Sequence, residues 1–310
     1  MNVAAFIEYL NKTKGLQIDA SYYAKIEKWR QWWQGYVPSV HNIKITREDG
    51  EHKRRRASLR MPKRVCEDWA NLLLNDKTTF QIGDAATAAY LLGSNEQQTG
   101  GLLRQLHFWE NANKLVEKAY WSGTGAFVLS VEGIKGTDGQ LEADPDARIV
   151  LDYDPASCIL PISVERGVVT EAAFVSECLI DGRPCAYLQT HAVRDGSRTI
   201  INEWFEIGQG QDGAPVFTPR KAPVGTVTEL QPEGSPPWFS LFSPAAEKNI
   251  DGGTGLGMAV FAEALDAAQG VDLAFDNYRQ DLYLGGKKIF YDRSLCKVVI
   301  GADGQPHYCL

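Results

Sequence analysis

Five histidines (His41, His52, His107, His191, His307) and six cysteines (Cys66, Cys158, Cys178, Cys185, Cys296, Cys309) are the side chains best suited to metal binding or nucleophilic chemistry. They are scattered. No His-Glu-x-x-His and no Cys-x-x-Cys occurs, so no metal site is expected. No Gly-x-Ser-x-Gly elbow is present, and the carboxylate pairs Asp144/Asp146 and Asp152/Asp154 precede prolines, where an Asp-Pro turn lets the side chain satisfy its own backbone. The cysteines read as buried thiols, with Cys178 and Cys185, across Asp181-Gly182, the only pair placed for a local disulfide. Neither a catalytic residue nor a cofactor is expected.

Two charged features remain. Arg54, Arg55, Arg56, Arg60, Lys63 and Arg64 form the one dense basic cluster, which either contacts phosphates by displacing counterions or forms a solvated turn into a helix. Glu48, Asp49 and Glu51 beside it, and the lack of interleaved aromatics, favour the turn. The run Asp251-Gly252-Gly253-Thr254-Gly255-Leu256-Gly257 precedes a long apolar-periodic segment. It is either a phosphate cradle at a helix start or a hinge, and its spacing matches neither dinucleotide nor nucleotide-binding loops, which favours the hinge.

These features sit on a chain of 310 residues, 44% hydrophobic and with net charge -7, enough to bury a sizeable core and too acidic to grip nucleic acid over its whole surface. No stretch approaches the roughly 18 apolar residues of a spanning helix, and the start lacks a signal-peptide pattern, so a cytosolic chain with no membrane contact is expected. Apolar residues at spacings of three and four predict helices over 4–36, with Asp19 capping the second and three tryptophans (Trp29, Trp32, Trp33) anchoring it. A helix from Pro62 presents Val65, Trp69, Leu72 and Leu73 to the core, and another covers 102–121. Four Asp-Gly pairs, at 138, 181, 195 and 212, then separate short apolar runs and predict an antiparallel meander. Residues 238–242 form an edge strand or arm after a proline-rich break.

The last helix, predicted over 258–284 and about 40 Å long, carries Phe261, Leu265, Ala268, Val271, Phe275, Tyr278 and Leu282 on one side. Glu263, Asp266, Asp276 and Asp281 fall on the other. From pattern alone this is a channel wall or a surface helix with a solvated acidic side.

Two segments carry a resemblance. The first is the run Ser58-Leu59-Arg60-Met61-Pro62 followed by Lys63-Arg64-Val65-Cys66-Glu67-Asp68-Trp69-Ala70-Asn71-Leu72-Leu73-Leu74-Asn75-Asp76-Lys77-Thr78. The second is 255–292. Together they resemble the portal proteins of tailed bacteriophages. The resemblance implies an α+β fold with a mainly helical wing region (1–135), a β-rich wing region (136–245), a stem helix (246–286) and the start of a clip (287–310). It implies a homo-oligomeric ring of about twelve copies, which nucleates the head at the capsid vertex and passes double-stranded DNA during packaging and ejection. Its partners would be the terminase large subunit, a head-tail adaptor, scaffold and major capsid protein. Glu263, Asp266, Asp276 and Asp281 would line the channel, and Lys287 and Lys288 would meet terminase or adaptor. The protein would occupy the virion vertex, and the host cytoplasm before assembly. Family chains continue past the clip into a second stem helix and crown, so a fragment or a separately encoded remainder is expected. The reading from a different class is a nucleic-acid-binding protein acting through Arg54 to Arg64.

Overall fold

The computed structural model describes residues 2–47, 50–75, 77–94, 100–133, 135–137, 140–142, 147–210, 213–232, 234, 236–286, 297–301 and 306–309. Helices α1 (Val3–Lys14) and α2 (Ala20–Gln34) open the chain. Each begins under a side-chain cap, Asn2 accepting from Ala5 N and Asp19 from Ser21 N, which satisfies amides the first turn leaves unpaired. A short helix, α3 (Pro38–His41), leads into the hairpin of β1 (Asn42–Arg47) and β2 (Gly50–Arg55), and α4 (Met61–Leu73) follows. Next come α5 (Ala85–Leu92), α6 (Leu102–Gln105) and α7 (Phe108–Ser122).

Strands β3 (Gly125–Glu132), β4 (Lys135–Thr137), β5 (Gln140–Glu142) and β6 (Arg148–Pro155) precede the meander. The meander comprises β7 (Ile159–Glu165), β8 (Val168–Ile180), β9 (Arg183–Arg194), β10 (Ser197–Gln209) and β11 (Pro215–Arg220). Strand β12 (Glu229–Leu230) also pairs with β10, and β13 (Phe239–Phe242) joins β3 and β6 in a three-stranded sheet. After a 3-10 turn at Ala262–Ala264 comes α8 (Leu265–Leu284), then the hairpin β14 (Lys297–Ile300) and β15 (Pro306–Cys309). The architecture is α+β.

The meander follows from its turns. Asp181-Gly182 and Asp195-Gly196 each place two successive residues at positive φ, the two-residue turn whose twist matches paired strands. Arg166-Gly167 does the same between β7 and β8, where arginine gives no sequence cue. The Asp-Gly pairs at 138 and 212 are not both within the described residues.

One face of this sheet carries α1, where Phe6 meets Phe205 and Phe217 at ring-centroid distances of 5.3 and 4.8 Å. The other faces the β13-β3-β6 sheet through Phe174, His191 and Phe239. A single buried cluster runs from Phe6 through Trp29, Trp121, Phe174 and Phe205 to Phe261, so helical and β-rich parts share one core.

Three expectations change. Helix α4 buries Pro62, Cys66 and Ala70, whereas Trp69, Leu72 and Leu73 are exposed, Leu72 at 75%. Small residues at that i, i+4, i+8 spacing let α4 approach α2 and α7 closely, and the bulky stripe is turned outward. The helix expected over 102–121 is two, because His107 adopts a left-handed φ of 50° between α6 and α7. Helix α5 was not anticipated.

The glycine run does not lead directly into a helix, so no phosphate cradle at a helix start is formed there. It turns through Gly252, Gly253 and Gly255 at positive φ, with the Leu256 amide donating to Gly253 O at 2.9 Å, and Leu256, Met258, Ala259 and Phe261 are buried, so the last helix starts at Leu265 and spans about 30 Å. Tyr22 donates its hydroxyl to Gly257 O at 2.7 Å, and Gly257 N donates to Thr124 Oγ1 at 2.9 Å. A Cβ at Gly257 would sit 2.4 Å from Gly123 O, a backbone atom with no room to yield. Gly257→Ala is therefore expected to cost about 2–3 kcal/mol, read as a lower urea midpoint at unchanged slope. A loss under 0.5 kcal/mol, roughly the level of a neutral surface change, would mean that this contact is not close-packed.

Candidate functional site

Helix α8 is attached to the body by acid groups. Asp272 and Asp276, one turn apart, are its only buried residues, at 3% and 2% exposure. They dock onto the strap that leaves β2 for α4. Asp272 Oδ1 accepts the Leu59 amide at 2.8 Å, and its Oδ2 lies 3.1 Å from His41 Nε2. His41 Nδ1 lies 2.8 Å from the Val37 amide nitrogen and 3.0 Å from its carbonyl oxygen, which fixes the ring with Nε2 toward Asp272. Asp276 Oδ1 accepts from Ala57 N at 3.0 Å, and Arg54 grips both carboxylate oxygens at 2.8 and 2.6 Å. The Arg54 guanidinium, helped by the Ala57 amide, holds the Asp276 carboxyl below the usual carboxylate value against the opposing effect of burial.

Asp276 is thus withdrawn from the channel-facing set. A periodic pattern counts it as polar and outward, but its charge is spent on a fork-shaped pair and a backbone amide. Glu263, Asp266 and Asp281 are exposed, as that role requires. Lys287 and Lys288 lie outside the described residues.

With about 100° per residue, α8 has three faces roughly 120° apart. Asp272 and Asp276 mark the body face, and Asp266 and Asp281 mark an outer acidic face. The third is apolar: Val271, Phe275, Tyr278 and Leu282. Of these, Val271, Tyr278 and Leu282 are exposed, the last two at 60%. The predicted apolar side therefore divides, with Phe261, Leu265 and Ala268 reaching the core and the later residues left bare. Leu273, Tyr283 and Leu284 are exposed as well.

The basic cluster is mostly committed within the chain. Arg54 is held by Asp276, Arg56 donates to Val40 O at 2.9 Å, and the Arg55 guanidinium lies 4.2 Å from the Tyr36 ring centroid. Lys63 pairs with Glu67 and Glu117, and Arg64 with Asp68. The side chain of Arg60 runs over Gly35, whose bare Cα makes the space. These cations brace the strap and α4 rather than forming a bare row.

Among the described residues, no three His, Cys, Asp or Glu gather around a point that would hold a metal ion, and no helix is long and apolar enough to cross a membrane. Cys178 and Cys185 do lie opposite each other on β8 and β9, as free thiols. Asp152 and Asp154 are not in a turn but in β6. Burial and the neighbouring Asp152 push the Asp154 carboxyl up to about 7, with Lys118 opposing. Asp144 and Asp146 lie outside the described residues.

The chain matches no protein-family model, and no curated protein matches its sequence.

Asp276 and Asp154 should leave opposite marks on stability. A depressed carboxyl contributes stability above its unfolded value near 3.8 and loses it as pH falls through the folded value. Asp276→Asn should therefore destabilise by about 2–3 kcal/mol at pH 7, with the gap from wild type narrowing in acid. A raised carboxyl favours the fold below its unfolded value and loses that contribution as pH climbs through about 7. Asp154→Asn should accordingly match wild type near pH 4 and exceed it at pH 8. Urea titrations at those pH values check both, and an Asp154→Asn variant less stable at pH 8 would contradict the second.

Proposed function

We propose that this chain is a subunit of a bacteriophage portal ring, with α8 as the helix bordering the DNA channel. The observation carrying this reading is the three-sided character of α8. A helix in a closed ring needs one side for its own subunit, one for a neighbour and one for the bore. Here the body side is taken by Asp272 and Asp276, and an apolar flank of exposed Val271, Tyr278 and Leu282 with half-buried Phe275 stands beside it. Bare apolar stripes of this kind mark interaction surfaces on proteins that otherwise keep such residues inside.

The acidic side fits a bore. Duplex DNA carries about one negative charge per 1.7 Å, so lysines and arginines would hold it by counterion release, whereas Glu263, Asp266 and Asp281 repel it and keep it sliding. The motif resemblance over 58–78 supports the same reading, since that stretch begins in the strap, where the Leu59 amide docks Asp272 of α8, and continues into α4. The protein would have no catalysis of its own. A terminase motor would supply the work, and Lys287 and Lys288 would lie toward the clip, where terminase or a head-tail adaptor docks. Scaffold and major capsid protein would meet the wing at the virion vertex.

Negative-stain images and native mass spectrometry of the purified protein are expected to show closed rings with a central hole. The triple variant Val271→Ser, Tyr278→Ser, Leu282→Ser should remain folded by circular dichroism yet fail to assemble. A strictly monomeric wild-type protein at high concentration, or rings unaffected by the triple change, would overturn the reading.

A further inference from the structure

Between the inner face of the meander and the β3-β6 pair lies a cavity of about 470 Å³ that the portal reading does not use. This is within the range of small-molecule sites. Its floor is one side of three neighbouring strands: Ser176 and Cys178 of β8, Tyr187 and Gln189 of β9, and Asn202 and Trp204 of β10. Asp152 and Glu132 stand on the opposite wall, and Trp238 closes one side.

The floor's polar groups are already paired with one another. Asn202 Nδ2 donates to Val227 O at 2.9 Å, and its Oδ1 accepts the Tyr187 hydroxyl at 2.7 Å. That hydroxyl accepts from Gln189 Nε2 at 3.3 Å, and Gln189 Oε1 lies 3.2 Å from His191 Nε2. A sugar or other polyol, which needs many free donors and acceptors, finds few here. An anion finds no lysine or arginine on the lining among the described residues.

What stays without a cationic partner, among the described residues, is a carboxylate that shares this space with aromatic rings. Glu132 is engaged by Arg148, but Asp152 has a single side-chain partner, the Ser130 hydroxyl at 3.2 Å. Asp152 is open to water on its outer side, yet enclosure by the cavity walls raises its carboxyl above the usual value. Tyr187 and Trp204 pack with centroids 5.1 Å apart, and with Trp238 they supply three π systems around the same space. A carboxylate short of a counterion beside aromatic rings is the arrangement that attracts an organic cation, through charge pairing at one end and cation–π contact along the sides.

We propose that this cavity binds a guanidinium or ammonium group on a short apolar stem, with Asp152 as the counterion and Tyr187, Trp204 and Trp238 as the walls. Two sources share this chemistry: a free small amine, and the side chain of an arginine or lysine on a bound polypeptide. The site stands apart from α8, so its test does not depend on ring formation.

The full chain is titrated with agmatine and, separately, with the blocked tripeptide acetyl-Gly-Arg-Gly-amide, with tryptophan fluorescence and ligand-detected NMR as readouts. Neutral butylurea and anionic glutarate are the controls. Saturable binding of agmatine or the tripeptide is expected, with butylurea at least about tenfold weaker and glutarate silent. Asp152→Asn should weaken binding by about tenfold or more while leaving the urea midpoint near wild type. Trp238→Leu, on the wall formed by the β12–β13 connection, should weaken it independently. Tighter binding of the tripeptide assigns a side-chain ligand, tighter binding of agmatine a free amine, and either supports the site. No saturable response to either cation, equal binding of butylurea, or full affinity in Asp152→Asn would overturn it.

Discussion

Everything distinctive about α8 depends on how two buried carboxylates are paid for in hydrogen bonds. An unpaired carboxylate in a protein interior costs several kcal/mol, so Asp272 and Asp276 tolerate burial only because the strap meets each with a backbone amide, and His41 of α3 and Arg54 of β2 meet them with side chains. The strap in turn holds its course because those amides have nowhere else to bond. The pairing is directional, unlike apolar packing, and so sets the rotation of α8 about its own axis. A slip of one residue would turn Asp272 and Asp276 about 100° out of reach, and it would equally turn the apolar flank and the outer carboxylates.

The glycine run contributes the other half of that restraint. With Leu256, Met258 and Phe261 in the core, and Gly257 pressed against Gly123, the chain entering α8 is fixed at its start. The helix is therefore held at its entry and again at its middle. Beyond Asp276 its residues are exposed, apart from the half-buried Gln280. A helix restrained over its first half can present its second half to another molecule without losing its own orientation.

Legibility in the sequence followed the range of the interactions. The hairpins at Asp181-Gly182 and Asp195-Gly196, the Asp19 cap and the tryptophan anchors of α2 were readable because each is decided within a few residues. The face of α4 was not, because whether Trp69 or Cys66 turns inward depends on how closely α2 and α7 approach, which no local pattern records. The break at His107 was hidden because only its backbone conformation, not its residue type, ends α6. Asp276 was misplaced for a more general reason. Periodicity sorts residues by hydropathy, and a carboxylate that finds Arg54 across 222 positions looks identical to one facing water. The cavity beside Asp152 was equally invisible, since its lining comes from β3, β6, β8, β9, β10, β12, the loop before β12 and Trp238 before β13. Its one sequence clue, Asp152 beside Asp154, was masked by the prolines that follow.

The two buried carboxylates also settle how charge is distributed on the rod. Five of the six cations in the basic cluster are used inside the chain, and Arg54 neutralises an acid that would otherwise face inward unpaired. The pairing removes both a positive and a negative charge from the surface around α8 and leaves Glu263, Asp266 and Asp281 as its outward charges on that side. Were Arg54 free beside them, it would weaken their field at the surface. Internal pairing of Arg54 with Asp276 thus does two things with one interaction: it fastens the helix, and it takes one cation away from the surface beside the exposed Asp266 and Asp281.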